Sequence, residues 1–224
     1  MLERTDHAGL ALRPASLLEA LRERTRDLHV RAERSGIIAD ILKGRCTRED
    51  YARLLRSLLP VYQALEQQLA GRAGSIAITP IFRPELARAG AISEDLRYFP
   101  PGRDEQSPAV LRYVSAILAA SEGDGSRLIA HAYARYLGDL SGGQILSRLL
   151  ARSLDLPPEA LSFYAFPGIS DIGAFKSDYR AAIDRAGDES EDFDAVVEEG
   201  ALAFELNIDL SLALQADVTQ PLRD

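Results

Sequence analysis

The sequence predicts a single all-α domain. Three observations carry that expectation. Apolar residues recur at three- and four-residue spacing along most of the chain, no stretch alternates with the two-residue period of a half-buried strand, and helix caps and breakers fall where the periodic runs begin and end. The expected architecture is a multi-helix bundle spanning residues 16–216, with a flexible N-terminal tail at 1–15 and a C-terminal tail at 217–224. Roughly seven to nine helices would pack around one core.

The elements follow in order. Ser16 can cap a first helix carrying Leu17, Leu18, Leu21, Leu28 and Ala32, with Gly36 as its stop. Thr47 opens a second, with Asp50 completing an imperfect capping box. Its apolar stripe runs through Tyr51, Leu54, Leu55, Leu58, Tyr62, Leu65 and Leu69, and Pro60 inside it should produce a kink. Residues 71–107 hold Thr79-Pro80, Arg83-Pro84 and Pro100-Pro101-Gly102, and read as a loop region with one short helix near Glu85–Ala89. Ser107-Pro108 places a cap and then a first-turn proline at the start of a helix that ends by Gly123-Asp124-Gly125. A long helical pattern spans Arg127 to about Ser153 and stops before Pro157-Pro158. Two further helices are expected at about Lys176–Ala186 and Glu191–Gln215.

Composition narrows the chemistry. The chain has 224 residues, 26 basic and 34 acidic, for a formal charge of −8, with one Cys, three His and no Trp. One Cys excludes a disulfide framework, a Cys-rich zinc site, an iron–sulfur cluster and covalent c-type heme attachment. The acidic balance argues against a nucleic-acid binder, which would present a basic face. No signal-peptide core and no run of about 18 apolar residues is present, so a cytoplasmic protein without a membrane segment is expected.

Two constellations stand out. On a helical wheel with His29 at zero, Leu17, Leu21, Leu28 and Ala32 fall between about −120° and −60°, and Arg22, Glu33 and Arg26 between about +20° and +60°. His29 thus sits where an apolar stripe meets a charged one, with Glu33 four residues on. That pattern reads as a solvated surface pair, or as a metal-ligating imidazole oriented by a carboxylate. A site with one His suits heme, which brings four nitrogens and asks the protein only for an axial ligand.

The second is HAYARYLGDLSGGQILSRLL, His131–Leu150. Each helical Gly costs about 1 kcal/mol relative to Ala, so Gly138, Gly142 and Gly143 together should bend or loosen the helix. They share an arc of about 140° with Asp139, and Arg135 lies inside it. A face without Cβ atoms permits a close helix–helix crossing or the close approach of a ligand. Two charged residues on that face weigh against a dry crossing.

Here the residues resemble a known family. YLGDLSGGQ, Tyr136–Gln144, is similar to the signature of the heme oxygenases, and HAYAR before it continues the match. LRERTRDLHVRAE (Leu21–Glu33), FYAFPGI (Phe163–Ile169), FKSDYR (Phe175–Arg180) and AFELN (Ala203–Asn207) follow in the family's order and spacing. The resemblance covers roughly Ser16 to Gln215. It implies heme sandwiched between a proximal and a distal helix, with His29 as axial iron ligand and Glu33 orienting its ring. It also implies Gly138, Gly142 and Gly143 over the distal face, Asp139 holding a water network there, and Arg135 and Tyr136 in the same polar environment. Arg22, Tyr133, Lys176 and Arg180 match positions that hold the heme propionates, although Arg22 departs from the Lys common there, and Phe204 and Asn207 match residues packed on the distal side.

The activity implied is oxidative cleavage of heme by O2 to biliverdin, the alpha isomer expected, with release of carbon monoxide and ferrous iron. Electrons would come from outside, from a ferredoxin, a flavodoxin or an NAD(P)H-dependent reductase docking near Arg22, Arg26, Lys176 and Arg180. The alternative within the same pocket is a non-enzymatic heme carrier or sensor; mere binding, however, needs neither Asp139 nor the glycines. A thiaminase-like hydrolase on the same helical fold would need a catalytic Cys or paired carboxylates in the bundle, and Cys46, at a helix start, does not suit the first of these.

Overall fold

A computed structural model describes residues 16–102 and 107–218. The expected N-terminal tail lies outside these residues, as do residues 219–224 of the C-terminal one; Asp217 and Val218 continue the last helix. Among the described residues there are nine α-helices and no strand. They are α1 (Leu17–Glu33), α2 (Gly36–Leu42), α3 (Arg48–Gly71), α4 (Ala89–Leu96), α5 (Pro108–Ala120), α6 (Leu128–Ala132), α7 (Gln144–Leu154), α8 (Ile172–Asp188) and α9 (Phe193–Val218). Among the described residues no helix is long and apolar enough to cross a membrane.

Most caps are those expected. Ser16 Oγ accepts from the Glu19 amide, and Ser107 Oγ from that of Val110. At α3, Thr47 and Asp50 form a complete reciprocal capping box, and the helix continues through Pro60 as one element. Its stripe is the centre of the core, with Tyr51, Leu55, Val61, Tyr62 and Leu65 fully enclosed. Burying each such side chain contributes roughly 1.5–3 kcal/mol.

Four boundaries differ from the sequence expectation. Gly36 does not simply stop α1; α1 ends at Glu33 and Gly36 opens α2 with φ +55°, where a Cβ would lie 2.1 Å from the Ser211 carbonyl oxygen. The 71–107 region holds a 3-10 turn at Pro84–Leu86 and a true helix, α4, beyond it. α4 lacks a side-chain cap of its own, because the carboxylate of Glu66 on α3 accepts from the Ala89 amide at 3.0 Å. That cap comes from a remote residue and leaves no local signature. α8 begins four residues early, at Ile172, where Asp171 accepts from the Ala174 amide. α9 starts at Phe193 and runs to Val218.

α1 lies tightly against α8 and α9. A Cβ on Gly187 would stand 2.5 Å from Leu17, and one on Gly200 2.5 Å from Leu21. The Leu18 amide donates to Asp184 of α8 at 2.8 Å. These contacts seat the N-terminal half of α1 and leave its later residues, with His29, at the edge of the bundle.

Candidate functional site

Between α6 and α7 the expected long helix changes character. Tyr133–Leu137 and Asp139–Gly143 are π-helical turns separated by Gly138. A π turn inserts an extra residue into the i→i+4 ladder and occurs frequently at functional sites. The loosening expected from three glycines therefore takes the form of a local expansion.

This segment borders a cavity of about 580 Å³, whose other walls come from α1, α2, α3, α7, α8, α9 and the 163–164 turn. Gly138 and Gly142 face it: a Cβ built on either meets nothing within 4 Å. That excludes a close helix crossing at these two positions and leaves open space over a bare backbone. Gly143 is different. Its Cβ would lie 3.1 Å from the Tyr164 ring, so it is glycine because a neighbour stands behind it.

Asp139 is 6% exposed and lines the same cavity. Its Oδ2 accepts a short hydrogen bond from the Tyr62 hydroxyl, and its Oδ1 lies 3.6 Å from the Arg135 guanidinium. Arg135 donates through Nε and a terminal nitrogen to the Tyr62 oxygen, at 2.9 and 2.7 Å, and through the other to Asn207 Oδ1. Asn207 in turn donates to the Ala203 carbonyl at 2.8 Å. The network links α3, the π segment and α9. Burial pushes the Asp139 carboxyl above the usual range, while Arg135 and the Tyr62 hydroxyl hold it part-way back.

The His29 side is wet. His29 and Glu33 side chains are each 59% exposed, and Nδ1 lies 3.7 Å from Oε1, an ion-pair distance longer than a hydrogen bond. Phe204 of α9 packs beside the imidazole with ring centroids 5.9 Å apart, and Tyr133 meets Phe204 from the other direction at 6.3 Å. The Tyr133 hydroxyl is 3.5 Å from Thr25 Oγ1. Arg22, Lys176 and Arg180 also border the cavity. Lys176 Nζ donates to Ser141 Oγ at 3.3 Å, and Arg180 Nε is buried with no hydrogen-bond partner among the described residues.

The chain matches the family model described as Heme oxygenase over residues 15–213. It is 36% identical to human heme oxygenase 1 over 218 residues, 94% of this chain and 76% of that protein. The heme oxygenase structure from Leptospira interrogans superposes with a TM-score of 0.83 at 38% identity, covering 88% of this chain and 99% of that one. Heme oxygenase-1 from Synechocystis sp., solved in complex with heme, superposes with a TM-score of 0.84 at 32% identity, covering 91% and 94%. The chain belongs to the heme oxygenase family.

In this heme oxygenase-family fold, thirteen of the fourteen residues singled out from the sequence border one cavity: Arg22, His29, Glu33, Tyr133, Arg135, Gly138, Asp139, Gly142, Gly143, Lys176, Arg180, Phe204 and Asn207. Tyr136 does not. It is 3% exposed and sits in the core between Tyr62 and Tyr179, at centroid distances of 6.4 and 6.5 Å. Its place on the wheel, close to that of Gly143, does not foretell this; the packing against those two rings draws it into the core.

The residue missed from the sequence is Tyr62, read there as core. Its ring is core, but its hydroxyl joins Asp139 to Arg135. No local signal singles it out, since Tyr51 on the same stripe is equally buried and its hydroxyl has no hydrogen-bond partner among the described residues. His131 serves structure: fully buried, its Nε2 is 2.8 Å from Glu199, which also pairs with Arg127.

Proposed function

We propose that this heme oxygenase-family enzyme binds heme in the cavity between α1 and the π-helical segment and cleaves it with O2 to biliverdin, carbon monoxide and ferrous iron. The observation that carries the reading is the pairing of an accessible imidazole, His29, with a Cβ-free face beside a buried carboxylate, Asp139, on the walls of one cavity. Two features of the chain suit heme in particular. The open space over Gly138 and Gly142 admits a flat apolar disc, and Arg180 Nε is a buried donor in want of an acceptor, as a propionate would supply.

Bound heme supplies the iron that activates O2 and the porphyrin carbon that is oxidised. His29 would hold the iron through its imidazole, and Gly138 and Gly142 would leave room for the disc beside their backbone. Glu33, 3.7 Å from Nδ1, would favour the proton on that nitrogen and so leave Nε2 free to hold the iron. Arg22, Lys176 and Arg180 would pair with the propionates and so govern which porphyrin carbon is presented for oxidation, the alpha position being the one expected. Asp139, oriented by Tyr62 and Arg135, would hold a water at its carboxylate and relay a proton through it. The external electron donor docks at the cationic edge formed by Arg22, Arg26, Lys176 and Arg180.

Heme titration followed by a chemical reductant and air tests the reading. The expected result is a stoichiometric complex with a histidine-ligated spectrum, then loss of the heme band and appearance of a bilin. Heme that persists through reduction and aeration would make the protein a carrier and overturn the enzymatic role.

A further inference from the structure

The segment FYAFPGI lends Phe163 and Tyr164 to the cavity wall, and the rest of it stands behind that wall. Residues 162–166 make a 3-10 turn and an extended stretch that carry no ladder of backbone hydrogen bonds to a neighbouring element. Such a segment needs other partners for its polar groups. Two buried charges supply them.

Asp95 of α4 is fully enclosed and accepts from the consecutive amides of Ser162 and Phe163, one carboxylate oxygen each, at 2.7 and 2.9 Å. Arg88, 5% exposed, spreads its guanidinium over four carbonyls. It donates to Leu86 at 3.2 Å and Glu85 at 3.1 Å on its own turn, and to Phe163 at 3.4 Å and to Ala165 on the far segment. The same guanidinium lies 4.0 Å from the centroid of the Phe166 ring. Arg88 is itself tied to α3, because its amide and that of Ala89 both donate to Glu66, one turn beyond Tyr62.

What this clamp holds touches the distal side twice. The Phe163 ring meets the Tyr62 ring edge-on, with centroids 5.5 Å apart at 72°. Tyr164 stands against Gly143, and its carbonyl accepts from Gln144 Nε2 at 2.7 Å, at the point where the π turns give way to α7. The Tyr62 ring angle aims the hydroxyl at Asp139, and the Tyr164 ring limits how far the glycine face can retreat from the cavity.

We propose that Arg88 and Asp95 are positioning residues for the reaction, fixing the height of the glycine-bearing segment and the aim of Tyr62 by clamping residues 162–166 from behind. The inference rests on the heme reading above. It assigns a purpose to a buried cation and a buried anion that touch neither the cavity nor each other's carriers by an ion pair among the described residues.

The test takes Arg88→Met, Asp95→Asn and Tyr164→Leu as full-length proteins through heme titration, then through turnover with ascorbate and air, with the bilin isomers separated. Each variant is expected to take up heme with the parent's histidine-ligated spectrum. Turnover should fall about tenfold or more, since a displacement of about 1 Å at a reacting group can cost up to 10²-fold. The isomer ratio should shift with it, and Arg88→Lys should recover part of both. Parent-like turnover and isomer ratio, with only a lower melting temperature, would make the clamp merely structural and overturn the proposal. Should Arg88→Met and Asp95→Asn fail to fold, Arg88→Lys decides alone, because it keeps the buried cation and loses the fork that spans the carbonyls of both segments. A parent protein that takes up no heme would break the heme reading itself, a result distinct from any of these.

Discussion

The two walls of the cavity are built in opposite ways. On α1, His29 and Glu33 are more than half exposed, joined by a 3.7 Å pair and by a ring contact to Phe204. Across the cavity, Asp139 is 6% exposed, and it shares with Tyr62, Arg135 and Asn207 a hydrogen-bond network reaching from α3 to α9. An axial ligand has only to be within reach, and the bond to iron then fixes it. A group that steers a proton must be held before the reaction begins, so its position is secured by the tertiary structure. The first wall can therefore be altered with little effect on folding, whereas changes in the second affect folding and chemistry together.

The largest effect expected is that of His29→Ala. The histidine-ligated heme spectrum and bilin formation should both disappear, while the thermal midpoint of the heme-free protein stays near the parent's, since an exposed side chain of this kind contributes within about 0.5 kcal/mol. A retained spectrum would remove His29 as ligand.

Asp139→Ala should do the reverse. Heme binds with the parent's spectrum, bilin yield falls about 10²-fold as proton transfer is lost, and peroxidase-like oxidation of an added dye rises. The Tyr62 hydroxyl and Arg135 lose their acceptor, at a cost of about 1–3 kcal/mol in a denaturant titration. Normal bilin yield would disprove the role. The same carboxyl has a pH signature. Its folded-state pKa is raised by burial, so the folded protein binds the proton more tightly than the unfolded chain. The stability of the parent relative to Asp139→Asn should therefore rise as pH falls from neutrality into the carboxylate range. A flat difference would mean that burial leaves the carboxyl unperturbed.

Gly142→Ala separates stability from activity within the distal wall itself. Nothing lies within 4 Å of the added methyl, and a helical Gly→Ala change contributes up to about 1 kcal/mol of stability. Turnover should drop nonetheless, because the methyl occupies space the substrate needs. A more stable protein with full activity would place the substrate elsewhere. The smallest effect belongs to Glu33→Gln on the exposed wall. An ion pair this exposed is worth a few tenths of a kcal/mol, so unfolding should hardly change and only the heme spectrum should respond.

How much of this could be read from the chain varies by element. α3 was readable because its cap, Thr47 with Asp50, and its apolar stripe are both local in sequence. α4 was not, since its N-terminus is satisfied by Glu66 from another helix. His29 was placed correctly at the edge between an apolar and a charged stripe by the wheel alone. The wheel also gathered Arg135, Gly138, Asp139, Gly142 and Gly143 on one arc, and all five border the cavity. It did not warn against Tyr136, which the motif resemblance brought in and which points into the core.

By itself the sequence determined the all-α class, the family, the bare face and the place of His29 between an apolar and a charged stripe, because helical period and glycine placement act over a few neighbouring residues. The tertiary structure alone decided that the bare face opens on a cavity at Gly138 and Gly142 but backs onto Tyr164 at Gly143. It also decided that the tyrosine at position 62 is the link between Asp139 and Arg135. Those facts depend on residues 77 and 73 positions apart being brought within hydrogen-bond distance, and no local pattern encodes which buried hydroxyl will meet which buried charge.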